Sequence, residues 1–214
     1  GLVYNVIQEG MPVSLGREGS YDGLIGFVPE GAAPDPGSMQ TFDGTARIQV
    51  SRPRGANAHG SYTARFSLHD GQRTHVFAGS GTMDEQGRLL GGPWKSSGSA
   101  PRQLLFDDLR VVSPGGWSPR IVGAVKFADE PQAPYAVVAG KQVFDAKTRP
   151  LSSEYAGRFT AFLGSFAIAD VSADLGVGSA TITSRGTTRV AATMADGSKV
   201  TASASVWGGF GPDL

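Results

Sequence analysis

The chain is expected to be all-β: an antiparallel meander that curls into a closed or nearly closed β-barrel with two internally similar halves. Three observations predict this. Gly occurs 31 times and Pro 13 times in 214 residues, with only 18% charged, a balance that suits many short strands joined by tight turns. Ala46, Ile48 and Val50 alternate with Arg47, Gln49 and Ser51, and Val200, Ala202, Ala204 and Val206 alternate with Thr201, Ser203 and Ser205, the period-two signature of a strand with one buried and one wet face. Finally, three sequence blocks recur in the same order, as expected of an internal repeat.

The blocks set the domain boundaries. Gly60–Arg73 aligns with Gly186–Lys199 without a gap, matching the Gly, the Asp-Gly and the following cation. Upstream, Gly44–Ile48 aligns with Gly178–Ile182, and Gly19–Ile25 with Gly157–Leu163. This reading gives one barrel domain over 19–214, with half-repeats at 19–126 and 155–207 and a linker at 127–154. Residues 1–18 form an extended N-terminal segment, within which Leu2–Ile7 is apolar and strand-like. Asp70-Gly71 and Asp196-Gly197 are expected as the central pairs of two-residue hairpins, since such turns need positive φ. Asp84–Gly87 reads as a four-residue turn, and Ser113–Pro119 links strands at Leu104–Val112 and Arg120–Phe127. No window of 11 residues carries a helical face free of Gly or Pro; Ala136–Lys147 is the most ambiguous.

Charge and cysteine content narrow the function classes. Nineteen Lys plus Arg balance 19 Asp plus Glu, so no broad electrostatic footprint for nucleic acid or anionic membrane is expected. With no cysteine, disulfides, Fe–S clusters, thiol catalysis and Cys-type zinc sites are excluded. The chain starts at Gly1 without Met or an apolar signal core, as expected of a processed product or a piece of a longer secreted protein. No stretch approaches the roughly 18 uninterrupted apolar residues of a spanning helix. A transmembrane barrel is disfavoured because the apolar faces use Ala, Gly and Ser in place of larger lipid-facing side chains.

The Gly19–Ile25 block, the Gly-x-Tyr/Phe strands, the Gly178–Ile182 block and the Met194–Ala204 hairpin resemble a β-barrel repeat of very large secreted surface proteins of verrucomicrobial and planctomycete type. The resemblance spans Gly19 to about Val206, and its most specific motif is the Ala-Asp-Gly-x-Lys hairpin. It implies an extracellular or cell-surface module with protein partners or self-association, and no catalytic residues to carry over. In that pattern further strands follow the second hairpin, whereas here the second half lacks counterparts of Leu104–Val112 and Arg120–Phe127.

Catalytic constellations are not apparent. Gly79-Ser-Gly81 and Gly176-Val-Gly178 each lack the third glycine of a nucleotide-binding fingerprint. His69 and His75 fall on opposite sheet faces, which opposes a metal pair, and His59 lies in a loop. Asp107 and Asp108 are adjacent on a strand and point to opposite faces, which rules them out as a glycosidase pair. Asp170 and Asp174 lack the spacing of a known calcium loop. No catalytic residue, metal site or cofactor is therefore expected. Trp94, Trp117 and Trp207 all sit among turn residues, where they could stack on a glycan or small ligand, or instead cap the barrel ends. The expected function is a non-catalytic extracellular module with a structural, adhesive or assembly role. The alternatives are a glycan- or small-ligand-binding barrel and a fibre or array subunit assembled by strand donation.

Overall fold

A computed structural model describes residues 5–6, 16–28, 39, 41, 43–54, 59–98, 100–113, 118–130, 134–163 and 176–208, without the side chains of 5, 6, 162, 163, 207 and 208. The described residues are all-β with no helix. The chain divides into two compact units, one holding residues 7–142 and the other mainly 143–207.

The larger unit is a curled nine-stranded antiparallel sheet. Its strands are β2 (Gly19–Gly26), β3 (Gly44–Ser51), β4 (Ser61–His69), β5 (Thr74–Met83), β6 (Leu89–Leu90), β7 (Trp94–Lys95), β8 (Gln103–Val112), β9 (Arg120–Phe127) and β10 (Tyr135–Lys141), in the order β6-β5-β4-β3-β2-β10-β9-β8-β7. The two end strands are consecutive in sequence. Single bridges Phe77–Ser96 and Arg88–Arg110 join residues 88–97 to β5 on one side and β8 on the other, supported by Ser97 N–H to Val76 O and Val111 N–H to Gly87 O. Residues 88–97 thus run as one irregular strand between β5 and β8, and the sheet curls back to meet itself. Curling places alternate side chains of every strand inside: Tyr21, Ile25, Ile48, Phe66, Leu68, Phe77, Leu104, Ile121, Val125, Phe127 and Val137 are fully buried.

The stretch 127–154, expected as a linker, holds a central strand. β10 lies between β2 and β9, with Val137, Val138 and Ala139 fully buried. A strand covered on both sides loses its alternation and reads as a plain apolar run, hence the helix ambiguity there.

The turn expectations need correction. Asp70 N–H bonds Arg73 O and His69 pairs with Thr74, which makes Gly71 and Gln72 the central pair, with Gly71 at φ +88°; a leading glycine suits a type II′ turn. The second hairpin is a three-residue loop: Met194 N–H bonds Ser198 O, Gly197 N–H bonds Met194 O, and Gly197 has φ +81°. The same arrangement recurs at 84–88 and 183–187, with Gly87 and Gly186 in the left-handed position, as in a type I turn closed by a glycine bulge.

The smaller unit carries a four-stranded antiparallel sheet in simple order, β11 (Gly157–Leu163), β12 (Gly176–Ile182), β13 (Thr187–Thr193) and β14 (Lys199–Ser205). Ala161, Ala180 and Val190 form its small core, and Phe144 packs beside Gly186. The two-residue strands β1 (Asn5–Val6) and β15 (Trp207–Gly208) pair with each other. No helix of the described residues is long and apolar enough to cross a membrane.

Candidate functional site

The sequence-selected tryptophans separate in the structure. Trp94 lies on β7, only 8% exposed, and packs against Tyr62, Phe66 and Phe106 with ring centroids 6.2, 5.8 and 5.0 Å away. A Cβ at Gly79 would sit 2.7 Å from the indole, so the missing side chain lets the ring lie against β5. Burial raises the Tyr62 hydroxyl pKa to about 12; protonated, it donates to Leu90 O at 3.3 Å. Trp94 is thus a core anchor with little surface left for a ligand. Trp117 lies outside the described residues, and for Trp207 only the backbone, in β15, is described.

Adjacent to this core stands a polar cluster that sequence reading missed. His75, 3% exposed on β5, places Nε2 2.7 Å from Asp70 Oδ2. Arg102 reaches the same oxygen at 3.3 Å, Asp129 at 2.6 Å and Glu130 at 2.8 Å, while its guanidinium lies 3.6 Å over the Phe127 ring. Burial opposes the Arg102 charge, but Asp129 and Glu130 outweigh it and raise its pKa. The Arg73 and Gln72 N–H groups, then His75, hold the Asp70 carboxyl well below the usual carboxylate range. Ser96, also buried, accepts from the Arg102 amide at 2.9 Å and ties the 96–102 loop to the cluster. The arrangement spends its donors and acceptors on one another. It locks the β4–β5 turn, the 96–102 loop and the end of β9 together, and among the described residues the His75 Nε2 bonds the Asp70 carboxylate.

This geometry carries a pH prediction. A carboxylate with a depressed folded pKa adds stability that is complete above its unfolded pKa, about 3.9, and is lost as pH falls through the lower folded value. Asp70→Asn should therefore lower the melting temperature at neutral pH and differ progressively less from wild type below about pH 4. Parallel melts across an acid series check this; a gap that widens on acidification would contradict it.

The carboxylates and histidines considered from sequence settle as follows. β8 bulges between Asp107 and Arg110, and Asp108 adopts φ 47°. The inward set therefore switches from Leu104 and Phe106 to Leu109 and Val111, and both aspartates are exposed on the bulge instead of dividing between the two faces. Asp107 pairs with Lys126 at 3.6 Å, and Asp108 with Arg88 at 3.4 Å and Arg110 at 3.2 Å. His75 pairs with Leu68 and His69 with Thr74, which keeps the two imidazoles on opposite faces in the corrected register. Among the described residues no three His, Cys, Asp or Glu side chains group as a metal site. Asp170 and Asp174 lie outside them.

Two surface features remain. A polar groove of about 580 Å³ runs beside the larger sheet, lined by Glu18, Gln49, Arg52, Arg54 and Ser61, with Arg52 3.3 Å from Glu18. The smaller sheet leaves apolar side chains in solvent: Phe159 is 41% exposed, Val177 54% and Val200 37%. Its outer polar face forms an open groove of about 480 Å³ across Ser179, Thr181, Arg189, Thr201 and Ser203. Set against known proteins, the chain matches no family model, no curated protein and no solved structure.

Proposed function

We propose that the chain is a non-catalytic module of the extracellular surface, of the kind found as barrel repeats in very large secreted proteins, with a structural, adhesive or assembly role. The observation that carries this reading is the smaller sheet. A sheet whose end strands β11 and β14 meet no further strand among the described residues, and which shows Phe159 and Val200 to solvent, is a liability for an isolated protein and an asset for one that assembles. The polar cluster supports the same reading, because its charged groups pair with one another and brace loops. Fractionation of the source cells should recover the chain with the exterior or envelope, and the purified protein should turn over no glycoside, ester or peptide substrate. Recovery from the cytoplasm, or a turnover lost in His75→Ala, would contradict the proposal.

A second reading, a glycan- or small-ligand-binding barrel, is favoured by the Gln49–Arg52–Arg54 groove, whose amide and guanidinium donors suit hydroxyl-rich or anionic ligands. Oligosaccharide titrations on wild type and Arg54→Ala decide it; binding weakened at least tenfold by the substitution would support this alternative.

A further inference from the structure

We infer that the outer face of the four-stranded sheet binds an acidic polysaccharide, a chain of uronic acids laid across the strands. The inference gives the adhesive role a partner and rests on the surface reading only for the place where that partner is met.

Strand register builds the face. Arg158 stands opposite Thr181, Thr181 opposite Arg189, and Arg189 opposite Ser203. One row therefore crosses all four strands with a guanidinium, a hydroxyl, a guanidinium and a hydroxyl in turn. Two residues along, Thr160, Ser179, Ala191 and Thr201 line up in the same way. Side chains two apart share a face, and apart from the half-buried Ser179 all of these residues are exposed. The intervening Ala180, Val190 and Ala192 point the other way and are buried. Ala191, the smallest side chain in the second row, lies in the open groove of about 480 Å³ that crosses this face. Strands about 4.8 Å apart set Arg158 and Arg189 about 10 Å from each other, with Thr181 between them.

The larger sheet supplies the comparison. Gly19 stands opposite Val50 and Val50 opposite Tyr62, as Gly157 stands opposite Ile182 and Ile182 opposite Thr188. Across the third ladder Tyr62–Gly81 corresponds to Thr188–Ala204, which equates β11–β14 with β2–β5. In that register the row with two arginines answers to Ser20, Gln49, Thr63 and Ser80, which carry no charge. On the larger sheet Arg47 meets Asp22 across the ladder at 3.0 Å. On the smaller one neither Arg158 nor Arg189 has a hydrogen bond or ion pair among the described residues, and neither row contains a carboxylate. Asp196 lies beyond the rows, in the loop beside Lys199, where it accepts the Ser198 N–H at 2.8 Å.

Charge and hydroxyls together name the ligand. Unpaired guanidinium groups on an otherwise neutral face call for an anion, and their planar fork matches a carboxylate with two parallel hydrogen bonds. Ser and Thr hydroxyls both donate and accept, which suits the ring hydroxyls of a sugar. A uronate keeps those hydroxyls free, whereas a sulfated sugar gives them up to its esters. Hydroxyls interleaved with guanidinium groups therefore favour the carboxylated chain.

Titration calorimetry of the full chain with polygalacturonate tests this, with neutral dextran, dextran sulfate and a single-stranded oligonucleotide as comparisons. Polygalacturonate should bind more tightly than any of the three, with an affinity that falls as salt is raised. Arg158→Gln and Arg189→Gln should each weaken binding about tenfold or more, and Thr181→Val about threefold, with the melting temperature retained. Arg65→Gln, which removes an exposed arginine from the larger sheet, should stay within about twofold of wild type. Absence of polygalacturonate binding, equal or tighter binding of dextran sulfate or the oligonucleotide, or an affinity unmoved by both Arg158→Gln and Arg189→Gln would overturn the inference. A cytoplasmic chain that binds as expected would sink the surface reading and leave this one standing, whereas a surface chain that does not bind would do the reverse.

Discussion

Ile48→Asp should abolish folding of the larger unit. Ile48 is fully buried at the middle of β3, opposite Tyr21 on β2 and Ala64 on β4. An aspartate there would stand between Tyr21 and Ala64 in the apolar interior, and an uncompensated buried charge costs several kcal/mol even after relaxation. Against a typical domain stability of about 5–15 kcal/mol, that removes most or all of the margin. The cooperative unfolding transition of this unit should vanish. Thr63→Asp, on the exposed face of β4, is the matched control and should stay within about 0.5 kcal/mol of wild type. A normal melt for Ile48→Asp would mean that β3 faces the other way.

Trp94→Ala should be the costliest single truncation. The indole is the common neighbour of Tyr62, Phe66 and Phe106, and it fills the space that Gly79 leaves on β5. Its loss opens a cavity at the junction where residues 88–97 hold the sheet's two ends. Large-to-small aromatic changes in cores cost about 3–5 kcal/mol, which for a unit of this size lowers the melting temperature by about 10 °C or more. Denaturant titration followed by tryptophan-independent circular dichroism measures the change. A loss under about 1 kcal/mol would place Trp94 at the surface, where it would again be a candidate for stacking on a ligand.

These outcomes show which parts of the molecule were legible in its sequence. Strands with one wet face, such as β3 and β4, announce themselves through alternation, and their inward residues Ile48, Val50, Phe66 and Leu68 are buried. β10, covered on both sides, gave no such signal. The bulge at Asp108 was hidden because a one-residue phase change between Phe106 and Leu109 looks like ordinary variation along a strand. Trp94 was misread by its neighbours: the glycines around it resemble a loop, yet Gly79 and Gly91 make room for Trp94 and Tyr62. The Arg102 cluster gathers residues from three distant turns, a convergence that spacing along the chain does not encode. Block alignment placed Gly178–Ile182 against Gly44–Ile48, whereas the ladders equate Ile182 with Val50 and Gly176 with Gly44. Glycines two residues apart at 176 and 178 keep the same face inward in either alignment, so pattern alone left the choice open.

Amide hydrogen exchange along β14, measured at low and high protein concentration, tests the central claim most directly. The inner amides of Val200, Ala202 and Ala204 should be protected at both concentrations, because β13 holds them. Those of Thr201 and Ser203 should exchange freely in dilute solution and become protected when the protein is concentrated. Uniform protection along β14 in dilute solution, or outward amides that exchange freely at every concentration, would contradict the account of the smaller sheet as an edge through which the chain assembles.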